Sequence, residues 1–297
     1  MLQFREIELG DREKANAALR ASDNMGCEYS FANNMAWRRL SDSMICFFRD
    51  FYIVCAFGTK DKIPLFTFPA GSGDLRELFG EMKSFCEGLG VPLKIWGVTE
   101  DKLKMLNELF PGEFTAEYDR DGSDYIYSRQ ELAELKGRKF HGKRNHLARF
   151  GKLDYQFSPI TERDFDDCIR FIADTYNAAG NSSDYSAVAE QFAVNTYFSH
   201  FHELELSGGI IRIDGSVAGV TIGERLNSDT FCVHIEKADR QFEGIYAGIN
   251  NLFVRNCTDG FRYVNREEDL GIEGLRRAKL SYNPVFLLDK YTVTFRG

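Results

Sequence analysis

A chain of 297 residues is long enough for about two domains of ordinary size, each with its own core. Its 26 Phe and 13 Tyr supply large apolar side chains, while 28% charged residues and a formal charge of -8 exclude a bulk coat for nucleic acid and leave room for a local basic site. The apolar runs at 51–57 and 284–288 fall far short of the ~20 residues that span a bilayer, and residues 1–20 lack the apolar stretch of a secretory signal, so the expectation is a cytoplasmic protein without a membrane segment. Cys27, Cys46, Cys55, Cys86, Cys168, Cys232 and Cys257 show no CxxC spacing, which predicts reduced, mostly buried thiols and no metal.

In chain order, the first elements are strands at 51–57 and 63–70 around the polar turn 58–62, which read as a hairpin. A helix follows, capped by Asp74 with Glu77. Its apolar face is Leu75, Leu78, Phe79, Met82, Phe85, Cys86 and Leu89, and Gly88 and Gly90 stop it. Residues 92–98 read as a buried strand, Asp101 to Phe110 as a second helix, and 114–128 as two strands around a glycine-containing turn.

Residues 131–151 read as a basic helical linker between domains 1–130 and 152–297. Ser128 and Glu131 form a capping box, Gly137 and Gly142 interrupt, and Gly151 ends the last helix. Arg138, Lys139, Lys143 and Arg144 cluster here against an acidic chain; they are either a solvated face or a strip for RNA phosphates or an anionic cofactor. Beyond the linker the element order of the first half recurs. Asp214-Gly215 predicts a two-residue hairpin turn, a strand runs through 230–238, and Ile245, Ile249, Leu252 and Phe253 mark a helix. A strand at 261–265, a helix over Ile272 to Tyr282 and a strand at 285–295 complete the half. The recurrence predicts an α+β fold built from a duplicated unit.

Charge concentrates in the second half. Period-two alternation sets Cys232, His234 and Glu236 on one strand face, and Asn265, Glu267 and Asp269 on one face of the next. Gly271 and Gly274 bracket the turn after them, and Leu275, Lys279 and Tyr282 line one side of the following helix, with Arg276 beside Lys279. Either this is a solvated ion-pair cluster, or it is a ligand site at strand ends, where open α/β sheets hold ligands. After the 230–238 strand, Gln241 and Gly244 fit the Q/R-x-x-G-x-G/A loop of GNAT-type N-acyltransferases, whose backbone amides at a helix start bind a pyrophosphate. Tyr246 stands where that pattern has Gly or Ala.

Three blocks, 124–150, 234–253 and 265–284, resemble soluble relatives of the C-terminal domain of bacterial phosphatidylglycerol lysyltransferases, in order and spacing along nearly the whole chain. The resemblance implies two tandem GNAT-like domains, each a mixed, mostly antiparallel sheet flanked by helices, with the active site mainly in the second. It implies recurrent positions at His234, Glu236, Lys237, Gly244, Tyr246, Asn265, Glu267, Asp269, Gly271, Arg276, Lys279, Ser281 and Tyr282. The lysyltransferases move an aminoacyl group from charged tRNA onto a lipid hydroxyl and carry a membrane domain ahead of this one, which is not expected here. The acceptor is therefore expected to be an amine or hydroxyl on a small molecule or lipid headgroup, with aminoacyl-tRNA as donor.

Transfer needs a base for the acceptor, a stabiliser for the oxyanion and a proton for the leaving group. Glu236, Glu267 or Asp269 is the expected base, Lys279 with Arg276 the oxyanion or phosphate holder, and Tyr282 the proton source, while Gln241, Gly244, Tyr246 and Gly271 are expected near the donor. An acyl-CoA-dependent N-acetyltransferase using acetyl-CoA, and a non-catalytic binding protein on the same fold, are the alternatives.

Overall fold

The structure is a computed structural model that describes residues 2–178 and 185–296. The chain forms two compact units: 1–124 with 268–271 and 288–297, and 125–267 with 272–287.

The first unit opens with α1 (Arg12–Ser22) and α2 (Phe31–Trp37), the latter capped by Ser30, whose hydroxyl accepts from the Asn33 amide at 2.8 Å. Strands β1 (Ser43–Phe48) and β2 (Phe51–Ala56) pair antiparallel, and β3 (Leu65–Thr67) pairs antiparallel with β2. The hairpin expected between 51–57 and 63–70 is present, and β1 extends it. Asp74 caps α3 (Leu75–Leu89), and Gly90 ends it in the left-handed region, as the apolar spacing predicts. The chain then returns as β4 (Lys94–Val98), parallel to β3, before α4 (Glu100–Leu109).

Residues 114–128 form a single strand, β5 (Phe114–Ser128), not the two expected. The polar stretch in its middle is anchored without reversing: the Asp119 carboxylate accepts from the Gly122 amide and the Trp96 indole, each at 2.9 Å, and the Ser123 hydroxyl donates to the Asp119 carbonyl at 2.8 Å. These bonds satisfy the polar groups a turn would otherwise expose.

In the second unit, α5 (Arg129–Glu134) is capped by Ser128, and α6 (His141–Phe150) ends at Gly151. This segment, expected as a linker, is part of the unit's body. Leu132, Phe140 and Phe150 are fully or almost fully buried, and Phe150 shares a core with Ile211, Ile245 and Ile249. Next come β6 (Tyr155–Pro159), α7 (Phe165–Ala178), α8 (Tyr185–Ser199), β7 (Ser207–Ile213), β8 (Ser216–Arg225) and β9 (Thr230–Ala238). Strands β6 to β9 form an antiparallel meander, with Asp214 (φ 50°) and Gly215 (φ 77°) making the predicted two-residue turn.

From β9, α9 (Ile245–Cys257) crosses over to β10 (Tyr263–Asn265), which lies parallel to β9 and antiparallel to β5. The helix α10 (Glu273–Leu280) and the strand β11 (Phe286–Phe295) close the chain.

Sheet order is β1-β2-β3-β4-β11 in the first unit and β5-β10-β9-β8-β7-β6 in the second. Each contains an antiparallel run followed by one parallel pair joined through a helix, β3-α3-β4 and β9-α9-β10. Residues 288–295 serve the first unit, where Val293 and Phe295 pack with Ile95, Phe79 and Phe110, whereas the sequence places them in the second domain.

Candidate functional site

The second unit gathers its charge at the end of the parallel pair. Asn265 aligns with Cys232 across β9 and β10, and the regular strand stops there. Glu267 adopts φ 56° and Leu270 φ 53°, so the expected alternation through Asp269 breaks. The Asn265 carboxamide accepts from the Glu267 amide at 2.7 Å, fixing that turn. Glu267 and Asp269 consequently do not share a face. The carboxylate of Glu267 reaches His234 Nδ1 at 2.8 Å in the second unit. That of Asp269 is fully buried in the first unit, where it accepts from the Gly271 amide at 2.9 Å and from Arg120 at 3.2 Å. Asp269 and Gly271 thus form an anchored turn.

Arg266 is the centre of one cluster. Its Nη2 donates to Glu236 at 2.7 Å, and Glu236 also accepts from Asn250 of α9 at 3.0 Å. The guanidinium lies 4.6 Å from the Tyr282 ring centroid and the Lys143 ammonium 3.5 Å from it, so one aromatic ring is in contact with two cations. Lys279 donates to the Arg266 carbonyl at 2.5 Å. The arginine is therefore held through both its main chain and its side chain. Its Nη1 is buried and makes no hydrogen bond to the described residues, as is also true of Asn250 Oδ1 and Thr221 Oγ1.

Electrostatics separate these groups. Burial, reinforced by the charge of Arg266 and opposed by Glu236, brings the Lys143 ammonium down to about 8. Burial works against the charge of Arg266, but Glu236 together with Tyr127 and Tyr282 outweighs it and raises the guanidinium above its usual value. Burial raises the Tyr282 phenol, which donates to the Tyr246 carbonyl at 3.3 Å.

His234 is the centre of a second cluster. Its ring is fully enclosed, stacks on Tyr197 at 5.6 Å with planes 10° apart, and bonds Glu224 through Nε2 at 3.0 Å. Cys232 Sγ lies 3.7 Å from Nδ1. Burial disfavours the imidazolium, but Tyr197, Cys232 and Glu224 outweigh it and hold the ring's pKa well above its usual range. The register shift opposite Ile222 and Gly223 makes His234 an extra, bulged residue of β9, and beside it a Cβ on Gly223 would stand 2.1 Å from the Cys232 carbonyl, so only glycine fits.

The other expected site residues lie elsewhere. Gln241 is exposed and bonds its neighbour Asp239, with its amide 2.9 Å from that carboxylate. Gly244 (φ 84°) caps α9 directly under α6: a Cβ there would meet the His146 carbonyl at 2.1 Å. Arg276 lies on α10 with its amide bonded to the Ile272 carbonyl at 2.8 Å. Of the basic segment, Lys139 pairs with Glu131 at 2.8 Å, Arg144 donates to the carbonyls of Leu135 and Gly137, Lys143 turns onto Tyr282, and Arg138 is exposed. Sequence reasoning missed Arg266, Glu224, Asn250 and Tyr197, none of which carries a local signal.

The first unit holds a cluster of related composition. Lys290, fully buried, lies 2.7 Å from both Asp124 and Glu28, 3.8 Å from Cys27 Sγ and 4.9 Å from the Trp96 ring centroid. Cys27 Sγ is also 3.4 Å from Glu268. Burial opposes the charge of Lys290, but Asp124, Cys27, Glu28 and Glu268 raise its pKa well above normal.

Residues 19–294 match the family described as phosphatidylglycerol lysyltransferase, C-terminal. A solved structure from Bacteroides thetaiotaomicron, described as a conserved protein of unknown function, is 35% identical over 100% of both chains with TM-score 0.94. The C-terminal domain of a putative lysylphosphatidylglycerol synthetase from Agrobacterium fabrum shares the fold at 14% identity and TM-score 0.68, covering 97% of this chain and 93% of that one. So does a tandem GNAT protein from the clavulanic acid biosynthesis pathway, at 9% identity and TM-score 0.51 over 99% and 98%. An uncharacterised protein of Mycoplasmoides gallisepticum is 24% identical over 58% of this chain; the match spans 56% of that relative. No helix among the described residues is long and apolar enough to cross a membrane.

Proposed function

The chain belongs to the phosphatidylglycerol lysyltransferase C-terminal family, and from that premise we propose a GNAT-like acyltransferase that moves an aminoacyl group from charged tRNA to an amine or hydroxyl acceptor. The observation that carries the choice of donor is the covered start of α9. The Ile245, Ala247 and Gly248 amides already donate to the carbonyls of Phe242 and Gly244, and α6 lies where a pyrophosphate would have to enter. A donor that needs no pyrophosphate cradle at this helix fits better than acyl-CoA.

In this reading Arg266 Nη1 donates to the ester carbonyl as negative charge builds on its oxygen. Lys143, with a pKa of about 8, takes the proton from the attacking amine or hydroxyl and returns it to the departing ribose oxygen. The acceptor heteroatom forms the new bond to the carbonyl carbon as the ribose ester bond breaks. Glu236 and Lys279 position Arg266, and Tyr282 holds both cations over its ring. The acceptor is a small molecule or a lipid headgroup, and Arg138 with its basic neighbours is the contact for tRNA phosphates.

Thermal denaturation with charged tRNA, uncharged tRNA, CoA and acetyl-CoA tests the donor. Charged tRNA is expected to raise the midpoint more than uncharged tRNA, and CoA to leave it unchanged. A shift with CoA or acetyl-CoA and none with tRNA would reject the reading.

A further inference from the structure

Cys232, His234 and Glu267 bring a sulfur, an imidazole nitrogen and a carboxylate oxygen within 4.8 Å of one another. We propose that these three side chains form a binding site for one divalent metal ion of borderline softness, with zinc as the natural occupant. Cysteine, histidine and carboxylate together are the donor set such an ion prefers.

The distances suit a single ion. Four-coordinate zinc, with bonds of roughly 2.0–2.3 Å, keeps its ligand atoms about 3.3–3.8 Å apart. Cys232 Sγ lies 3.7 Å from His234 Nδ1 and 3.9 Å from Glu267 Oε1. Nδ1 and Oε1, at 2.8 Å, must part by a fraction of an ångström, and the 20% exposed Glu267 side chain has room to rotate. The far nitrogen strengthens the assignment: Nε2 faces Glu224 at 3.0 Å, the carboxylate partner that orients a metal-binding histidine and selects its tautomer. Three protein ligands leave a fourth position open. The ion replaces the proton shared by Nδ1 and Glu267 and the thiol proton, so two protons leave as it enters.

The first unit provides a control within the same chain. Cys27, Asp124 and Glu268 also cluster closely, but Lys290 already lies 2.7 Å from Asp124 and 3.8 Å from Cys27 Sγ. A tethered ammonium at that place repels a second cation, so one metal ion per chain is expected.

The test is metal analysis of the full chain purified without chelator or metal-affinity steps, followed by Co²⁺ titration of the stripped protein. The proposal expects close to one zinc per chain and a near-ultraviolet thiolate-to-cobalt band. Cys232→Ser should abolish that band, Glu224→Gln should weaken affinity by about 10–100-fold, and Cys27→Ser should change neither. A wild-type protein that holds no zinc and develops no band at millimolar Co²⁺ overturns the proposal, as does a band that survives Cys232→Ser. Should the variant not fold, Zn²⁺ added to stripped wild type decides: a raised denaturation midpoint, reversed by chelator, supports the site, and an unchanged midpoint overturns it.

Discussion

Lys290 in the first unit and His234 in the second each sit fully enclosed beside a cysteine and two or more carboxylates, but the two environments differ in what can be exchanged. The ammonium of Lys290 is tethered, and its partner Asp124 is wholly buried, so that cluster is a permanent part of the fold. His234 faces carboxylates that remain 13% and 20% exposed, its charge is a removable proton, and Arg266, whose Nη1 has no hydrogen-bond partner among the described residues, is the residue before Glu267. A buried ion pair alone is therefore poor evidence of function; exchangeability and an unused donor are better evidence.

The largest effect should come from Lys290→Met. Stranding Asp124 and Glu28 without their cation is expected to cost about 3–5 kcal/mol in urea denaturation. His234→Gln, compared in metal-stripped protein, should cost clearly less, because the Glu224 and Glu267 side chains are partly exposed to water. Equal losses would erase the distinction between the clusters.

Gly244→Ala probes whether the start of α9 is packed or open. A Cβ against the His146 carbonyl should cost about 1–3 kcal/mol, whereas an open cradle would accept it with little change in the denaturation midpoint.

The lysines sharpen the comparison through pH. Lys143 in the second unit and Lys102 in the first are each lowered to about 8, chiefly by burial. Between about 8 and the unfolded value of 10.5 the unfolded chain binds more protons at these sites, so stability should rise with pH across that window. Replacing either lysine by Met should flatten the rise. Only Lys143→Met should also remove a limb near pH 8 from the rate of transfer. The smallest effect is expected at Arg138, whose exposed side chain can become Ala within ~0.5 kcal/mol while RNA binding weakens and its salt slope falls by about one. Unchanged RNA binding would remove it from the donor surface.

Local signals carried the fold. Asp74 with its apolar helix face, the Asp214-Gly215 turn and the strand-helix-strand order of 230–265 all appear where their spacing puts them. The site was legible only in part, because its geometry depends on pairings far apart in sequence. Alternation puts Cys232, His234 and Glu236 on one face, but the β8–β9 register passes from Val233 to Ile235 and leaves His234 as an extra residue, so His234 stacks on Tyr197 of α8 while Glu236 bonds Asn250 of α9. Nor could alternation show that a left-handed Glu267 would send Asp269 away. Arg266 meets Glu236 across 30 residues, and Lys143 reaches Tyr282 from a helix that reads as a linker. Lys290 and Asp124 stand in long strands beside other charges such as Asp289 and Asp121, and nothing local distinguishes the buried member or names its distant partner.

The most direct test of the central claim is single-turnover loss of the aminoacyl group from labelled aminoacyl-tRNA, with a panel of amine and hydroxyl acceptors. Wild type should show acceptor-dependent transfer, and Lys143→Gln should be slower by at least tenfold, a loss of about 1.4 kcal/mol or more in transition-state stabilisation, while keeping its denaturation midpoint. Transfer from acetyl-CoA with none from aminoacyl-tRNA, or full activity in folded Lys143→Gln, would contradict the account.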